Sequence, residues 1–104
     1  MNSLEKKYYF LKLVPKRADF SQTMSKEELT IMQQHVAYWK NYLDKGMVAV
    51  YGPVLDPKGV YGIGVVGVEN EKELDLLIQN DPALKINDYE FFPMNAVVRE
   101  VIQS

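Results

Sequence analysis

Met47-Val48-Ala49-Val50-Tyr51-Gly52-Pro53-Val54-Leu55-Asp56-Pro57-Lys58-Gly59-Val60-Tyr61-Gly62-Ile63-Gly64-Val65-Val66-Gly67-Val68 decides the fold of this chain. Met47 to Pro53 is short, apolar and rich in β-branched residues, which predicts a strand. Val60 to Val68 predicts the next strand, joined to the first as a hairpin by the short turn between them. Pro53 and Pro57 fall where a missing N–H does no harm. Gly59 can take a positive φ in the turn.

Helices flank this hairpin. Upstream, Ser25-Lys26-Glu27-Glu28 forms a capping box, in which Ser25 accepts from the third helical amide and Glu28 reaches back. Leu29, Met32, Val36, Trp39 and Leu43 recur at steps of three and four, which predicts one buried helical face over Lys26 to Lys45. Gly46 supplies the left-handed terminal position. Downstream, Asn70-Glu71-Lys72-Glu73 repeats the capping logic, with Leu74, Leu77 and Ile78 on the buried side. Asn80-Asp81-Pro82 ends this second helix.

The outer segments complete the pattern. Lys7 to Val14 is aromatic-rich and reads as a strand stopped by Pro15, and Lys16 to Met24 reads as a polar loop. A last strand is expected from Tyr89 to Met94, with an extension to Val101 open. The order β-α-β-β-α-β is the ferredoxin-like split βαβ pattern, an α+β fold with both helices on one face of a four-stranded antiparallel sheet. The free face of such a sheet is normally polar. Here Tyr61, Ile63 and Val65 lie on one side of their strand, and Tyr8 and Phe10 on one side of theirs. Both faces carry apolar residues and two helices cover one, so a homodimer packed through the open sheet face is expected.

The 104 residues predict one domain, 1–104, without repeats or linkers, its ends at 1–6 and 102–104 expected to fray. Lysine and arginine number 12 against 14 aspartate and glutamate, and the net charge of −2 gives no footprint for nucleic acid or an anionic membrane. With no cysteine, a disulfide, a thiolate nucleophile and a Cys-ligated metal are excluded. One histidine and scattered carboxylates do not make a metal site, and no glycine-rich phosphate cradle opens a helix. No cofactor is expected. Met1 to Lys7 lacks the apolar stretch of a signal peptide, so the cytoplasm is the default compartment.

His35, the sole histidine, lies one step off the apolar helical stripe, at the border of the core. Its ordinary pKa falls in the physiological range. If the fold brings Asp56 to it, the pair forms an acid/base unit. Taken alone, Asp56 before Pro57-Lys58-Gly59 reads as a turn cap, and Asp81 before Pro82 as a helix stop. Tyr38, Trp39 and Tyr42 fall at helical spacing, which favours the core, although Tyr38 is also a candidate for binding a small organic substrate together with Tyr51, Gly52 and Pro53. Gly62-Ile63-Gly64 lies within a strand, where glycines favour close packing over phosphate binding.

From Ser25 to Leu84 the chain resembles the YCII-related family. The resemblance is carried by His35-Val36-Ala37-Tyr38, Gly46, Gly52-Pro53, Asp56, Gly59, Gly62-Ile63-Gly64 and Asp81-Pro82, in that order. It implies a dimeric α+β barrel of ferredoxin-like subunits and a pocket between helices and sheet where His35 and Asp56 face each other. It departs from the family pattern at Phe92-Pro93-Met94, where the family often has Pro-Trp, and at Met32-Gln33-Gln34, where some members carry arginines. Two functions stay open at this point. One is a cofactor-independent enzyme for isomerisation or elimination, with His35 as acid or base and Asp56 orienting it. The other is a non-catalytic module that binds a small ligand.

Overall fold

The computed structural model describes residues 6–99. Its elements are β1 (Lys7–Pro15), α1 (Phe20–Thr23), α2 (Lys26–Asp44), β2 (Val48–Val54), β3 (Tyr61–Val68), α3 (Glu71–Gln79), a 3-10 helix (Pro82–Lys85) and β4 (Asn87–Met94). The strands form one antiparallel sheet in the order β2-β3-β1-β4. Apart from the short α1, this is the α+β arrangement expected from the sequence.

Local chemistry sets the helix boundaries. Ser25 Oγ accepts from the Glu28 N–H at 3.1 Å and a Glu28 carboxylate oxygen accepts from the Ser25 N–H at 2.9 Å, closing the capping box. Gly46 ends α2 at φ +84°, a conformation that glycine adopts without steric cost. Asn70 caps α3 by accepting from the Glu73 N–H at 2.9 Å.

Pairing register decides which residues turn toward the helices. Tyr9 lies opposite Val66, Leu11 opposite Gly64 and Leu13 opposite Gly62, all on the helix side. Tyr9, Leu11 and Val66 join Trp39 of α2 and Leu74 and Leu77 of α3 in a single core. A bulge at Ala49 keeps β2 in phase. Val48 pairs with Val66 and turns inward, Val50 pairs with Val65 and turns outward, and Tyr51 returns to the inner face opposite Gly64.

Among the described residues no helix covers the opposite face. Phe10 faces Val65 on one side and Phe92 on the other, making an apolar row across three strands. Phe92 is 51% exposed and Val50 also 51%, far from the burial of the core.

Two expectations are corrected. The segment read as a polar loop contains α1, and Phe20 within it is buried. Arg17 holds this segment in place by donating to the Thr23 carbonyl at 2.9 Å and to both Glu28 carboxylate oxygens at 3.0 and 2.8 Å. The guanidinium holds the Glu28 carboxyl down to about 2. The last strand begins earlier than read, at Asn87, and ends at Met94. Residues 95–99 are not strand, and the remainder of the extension to Val101 lies outside the described residues. The ends expected to fray also lie outside them, except Lys6.

Candidate functional site

A cavity of about 530 Å3 lies between the sheet and the helices α1 and α2. Its floor is the inner face of β1 and β3, where Gly62 and Gly64 present no side chain. A Cβ built at Gly64 would meet only ordinary contacts, the nearest at 3.6 Å from Tyr51 Cβ. The glycine pair therefore makes room above the sheet rather than permitting a close approach of backbones. Phe20 of α1 and Met32, His35 and Trp39 of α2 form the opposing walls. Tyr51 spans the gap, its hydroxyl donating to the Val36 carbonyl at 3.0 Å.

His35 is the ionisable group in this wall. Its Nδ1 lies 3.0 and 2.9 Å from the two carboxylate oxygens of Asp81. The Asp81 side chain is wholly buried, and that of His35 is 14% exposed. The carboxylate collects further donors. Trp39 Nε1 donates to it at 2.8 Å, the Ala83 N–H at 2.9 Å, and the Tyr89 hydroxyl by a short hydrogen bond. Burial opposes ionisation of Asp81, but the hydrogen bond and charge of His35, aided by Tyr89 and the Ala83 N–H, hold its carboxyl below the ordinary value. Burial first, and then the Asp81 charge, raise the Tyr89 hydroxyl far above its usual range, so it remains a donor.

This geometry fixes the imidazole. An ionised carboxylate can only accept, so Nδ1 carries the hydrogen. In the neutral ring the lone pair is then on Nε2, which has no hydrogen-bond partner among the described residues. The site can therefore hold an oriented imidazole with a free basic nitrogen at an apolar hollow.

Asp56 is not the partner of His35. Its carboxylate accepts from the Lys58 N–H at 2.9 Å and its carbonyl from the Gly59 N–H at 2.9 Å. The expected His35–Asp56 pair is corrected to His35–Asp81: the carboxylate that the fold sets at His35 Nδ1 is that of Asp81, and that of Asp56 caps its own turn. Tyr38 is also displaced from the cavity wall. It packs edge-on against Trp39 and Tyr42, and its hydroxyl donates to the Leu77 carbonyl at 2.6 Å. Tyr51, Gly52 and Pro53 do line the cavity.

Sequence reasoning missed Asp81, Tyr89 and Asn87 as members of the site, and placed Trp39 with the core, although it lines the cavity as well. Asp81 does cap a helical turn, accepting from the Ala83 N–H, and that role hid the second one. A signal was present: a Trp on the core face of a helix needs a partner for its N–H when buried.

The sign of the Asp81 shift gives a first prediction. A carboxyl with a folded pKa below its unfolded value stabilises the fold above the ordinary value of about 3.9. That contribution is lost as pH falls through the lowered folded value. The melting temperature of the wild type should exceed that of Asp81→Asn near neutrality, with the difference narrowing below about pH 4. Parallel curves across that range would show that the charge of Asp81 does not stabilise the fold.

Among the described residues no three His, Asp or Glu side chains converge as a metal cluster, and no helix is long and apolar enough to cross a membrane. Fold and site together define a small α+β protein with a histidine–carboxylate pair beside an apolar cavity. The YCII-related domain model matches residues 9–95, and the chain belongs to that family. No curated protein matches the chain.

Proposed function

We propose that this protein is a cofactor-independent enzyme that moves a proton on a small organic molecule, in a reaction of the isomerisation or elimination type. The observation that carries this reading is the free Nε2 of His35 at the cavity wall, with Nδ1 held by a buried, ionised Asp81. Nε2 takes a proton from an activated carbon or hydroxyl of the substrate. The imidazolium that forms is stabilised by Asp81, which keeps its own charge. The same proton is then returned at another atom, or a leaving group departs from the resulting anion.

Deuterium exchange at the activated methylene of 2-tetralone in heavy water, followed by NMR, tests this reading. His35→Gln should lose the acceleration while remaining folded. Equal exchange rates in wild type and variant would refute proton transfer by His35.

A second reading has its own support. Asp81 ties α2, the 3-10 helix and β4 together, which would also suit a rigid module that binds a ligand without turning it over. Under that reading His35→Gln lowers the melting temperature substantially and 2-tetralone exchange is absent from the wild type.

The assembly belongs to the same proposal. A second copy covers the Phe10, Val65 and Phe92 row by packing sheet against sheet, forming a homodimeric barrel. Its support is the exposed apolar row across three strands. Phe92→Lys, at a half-exposed position, should convert the dimer to a monomer by light scattering after size exclusion. A wild-type monomer at micromolar concentration would refute the dimer.

A further inference from the structure

The cavity's polar groups select for one kind of ligand. Among the described residues that line it, none is Lys, Arg, Asp or Glu. Two hydroxyl groups in its wall are already committed, Tyr89 to Asp81 and Tyr51 to the Val36 carbonyl. That of Ser21, at an exposed position, can serve as donor or acceptor.

Asn87 differs from these. It lines the cavity, is 1% exposed and leaves its Oδ1 without a partner among the described residues. Its Nδ2 donates to the Ala83 carbonyl at 3.0 Å and faces Met32 Sδ at 3.6 Å. Turning the amide over would set two carbonyl oxygens against each other, so this orientation is the favoured one. A buried acceptor left unmatched is costly, and a ligand that donates to it recovers that cost.

With the imidazole neutral, as the proton-transfer reading requires, His35 Nε2 and Asn87 Oδ1 are both acceptors, and the ionised Asp81 behind the ring adds negative charge with no lysine or arginine among the described residues that line the hollow. An anionic ligand would give up its hydration and meet lone pairs. We propose that the cavity takes a neutral, largely apolar small molecule bearing a hydroxyl donor, such as a phenol or an enol, whose O–H donates to Asn87 Oδ1 within the hollow that His35 also lines. This names the substrate class of the proton-transfer site and rests on that reading for the neutral, accepting Nε2.

Titration calorimetry on the full chain tests the proposal with three probes of one shape. 2-Naphthol should bind more than ~tenfold tighter than 2-naphthoate. It should also bind about two- to tenfold tighter than 2-methoxynaphthalene, which lacks the donor. Asn87→Leu should bring 2-naphthol and 2-methoxynaphthalene together. Because Asn87 also supports the fold, Ser21→Arg at the exposed rim supplies an independent arm, and it should raise naphthoate affinity. Tighter binding of naphthoate to the wild type, equal binding of the naphthol and its methyl ether, or no binding of any probe would overturn the proposal. Calorimetry reads preference without turnover, so its failure is separable from failure of 2-tetralone exchange.

Discussion

Asp81→Ala is expected to lower the unfolding free energy by about 3–5 kcal/mol, because each buried donor left unmatched costs about 1–3 kcal/mol. The substitution strands several buried donors at once: the indole N–H of Trp39, the hydroxyl of Tyr89, the N–H of Ala83 and Nδ1 of His35. These belong to α2, β4 and the 3-10 helix, so the loss loosens the joint between three elements. For a domain of this size the melting temperature should fall by more than ~10 °C. Chemical denaturation followed by far-UV circular dichroism measures it. A change below about 1 kcal/mol would place Asp81 among ordinary surface-like positions and remove it as the hub of the site.

Asp81→Asn is expected to reduce the rate of 2-tetralone exchange by about 10²–10⁴, the range that positioned acid–base catalysis supplies. The amide keeps the volume of the carboxylate but brings an NH2 group. With its oxygen turned to Trp39 and Tyr89, the NH2 faces His35 and Ala83. The imidazole meets that NH2 by presenting a lone pair at Nδ1, which moves the hydrogen to Nε2 and removes the base from the cavity. Nitrogen-15 NMR of His35 distinguishes this from simple unfolding. The neutral ring should be the Nδ1–H tautomer in the wild type and the Nε2–H tautomer in the variant, both in a folded protein. The same tautomer in both proteins, or an unchanged exchange rate, would sink the proposal that Asp81 orients the base.

The two halves of the site differed in legibility for a physical reason. His35 could be found because position along a helix fixes direction: a residue one step off an apolar stripe emerges at the edge of the buried face. Tyr51, Gly52 and Pro53 follow a similar rule, since strand pairing places them beside Gly64, Ile63 and Gly62. Asp81 was read as a helix stop, and it does cap the next turn through the Ala83 N–H. A carboxylate has more acceptor sites than one cap uses. Which further donors it collects depends on where the first helix crosses it, and no local pattern reports that crossing.

Asp56 shows the converse. Its turn chemistry was plain in Asp56-Pro57-Lys58-Gly59, and the structure assigns it to that turn, with the Lys58 N–H as its nearest claimant. The family resemblance implied a longer reach, and the structure gives that reach to Asp81 instead.

The chain's own order of residues determined the elements and their sequence: the capping box at Ser25, the left-handed Gly46, the turn at Asp56, and the alternation that gives the sheet two apolar faces. These depend on interactions within a few residues or on side-chain periodicity, both of which are written into the linear order. Only the tertiary structure decided that Asp81 rather than Asp56 meets His35, that Gly62 and Gly64 open a hollow, and that Asn87 is left with an unmatched oxygen. Each of these joins residues far apart along the chain, and such a meeting is fixed by how helices settle on the sheet when the core closes.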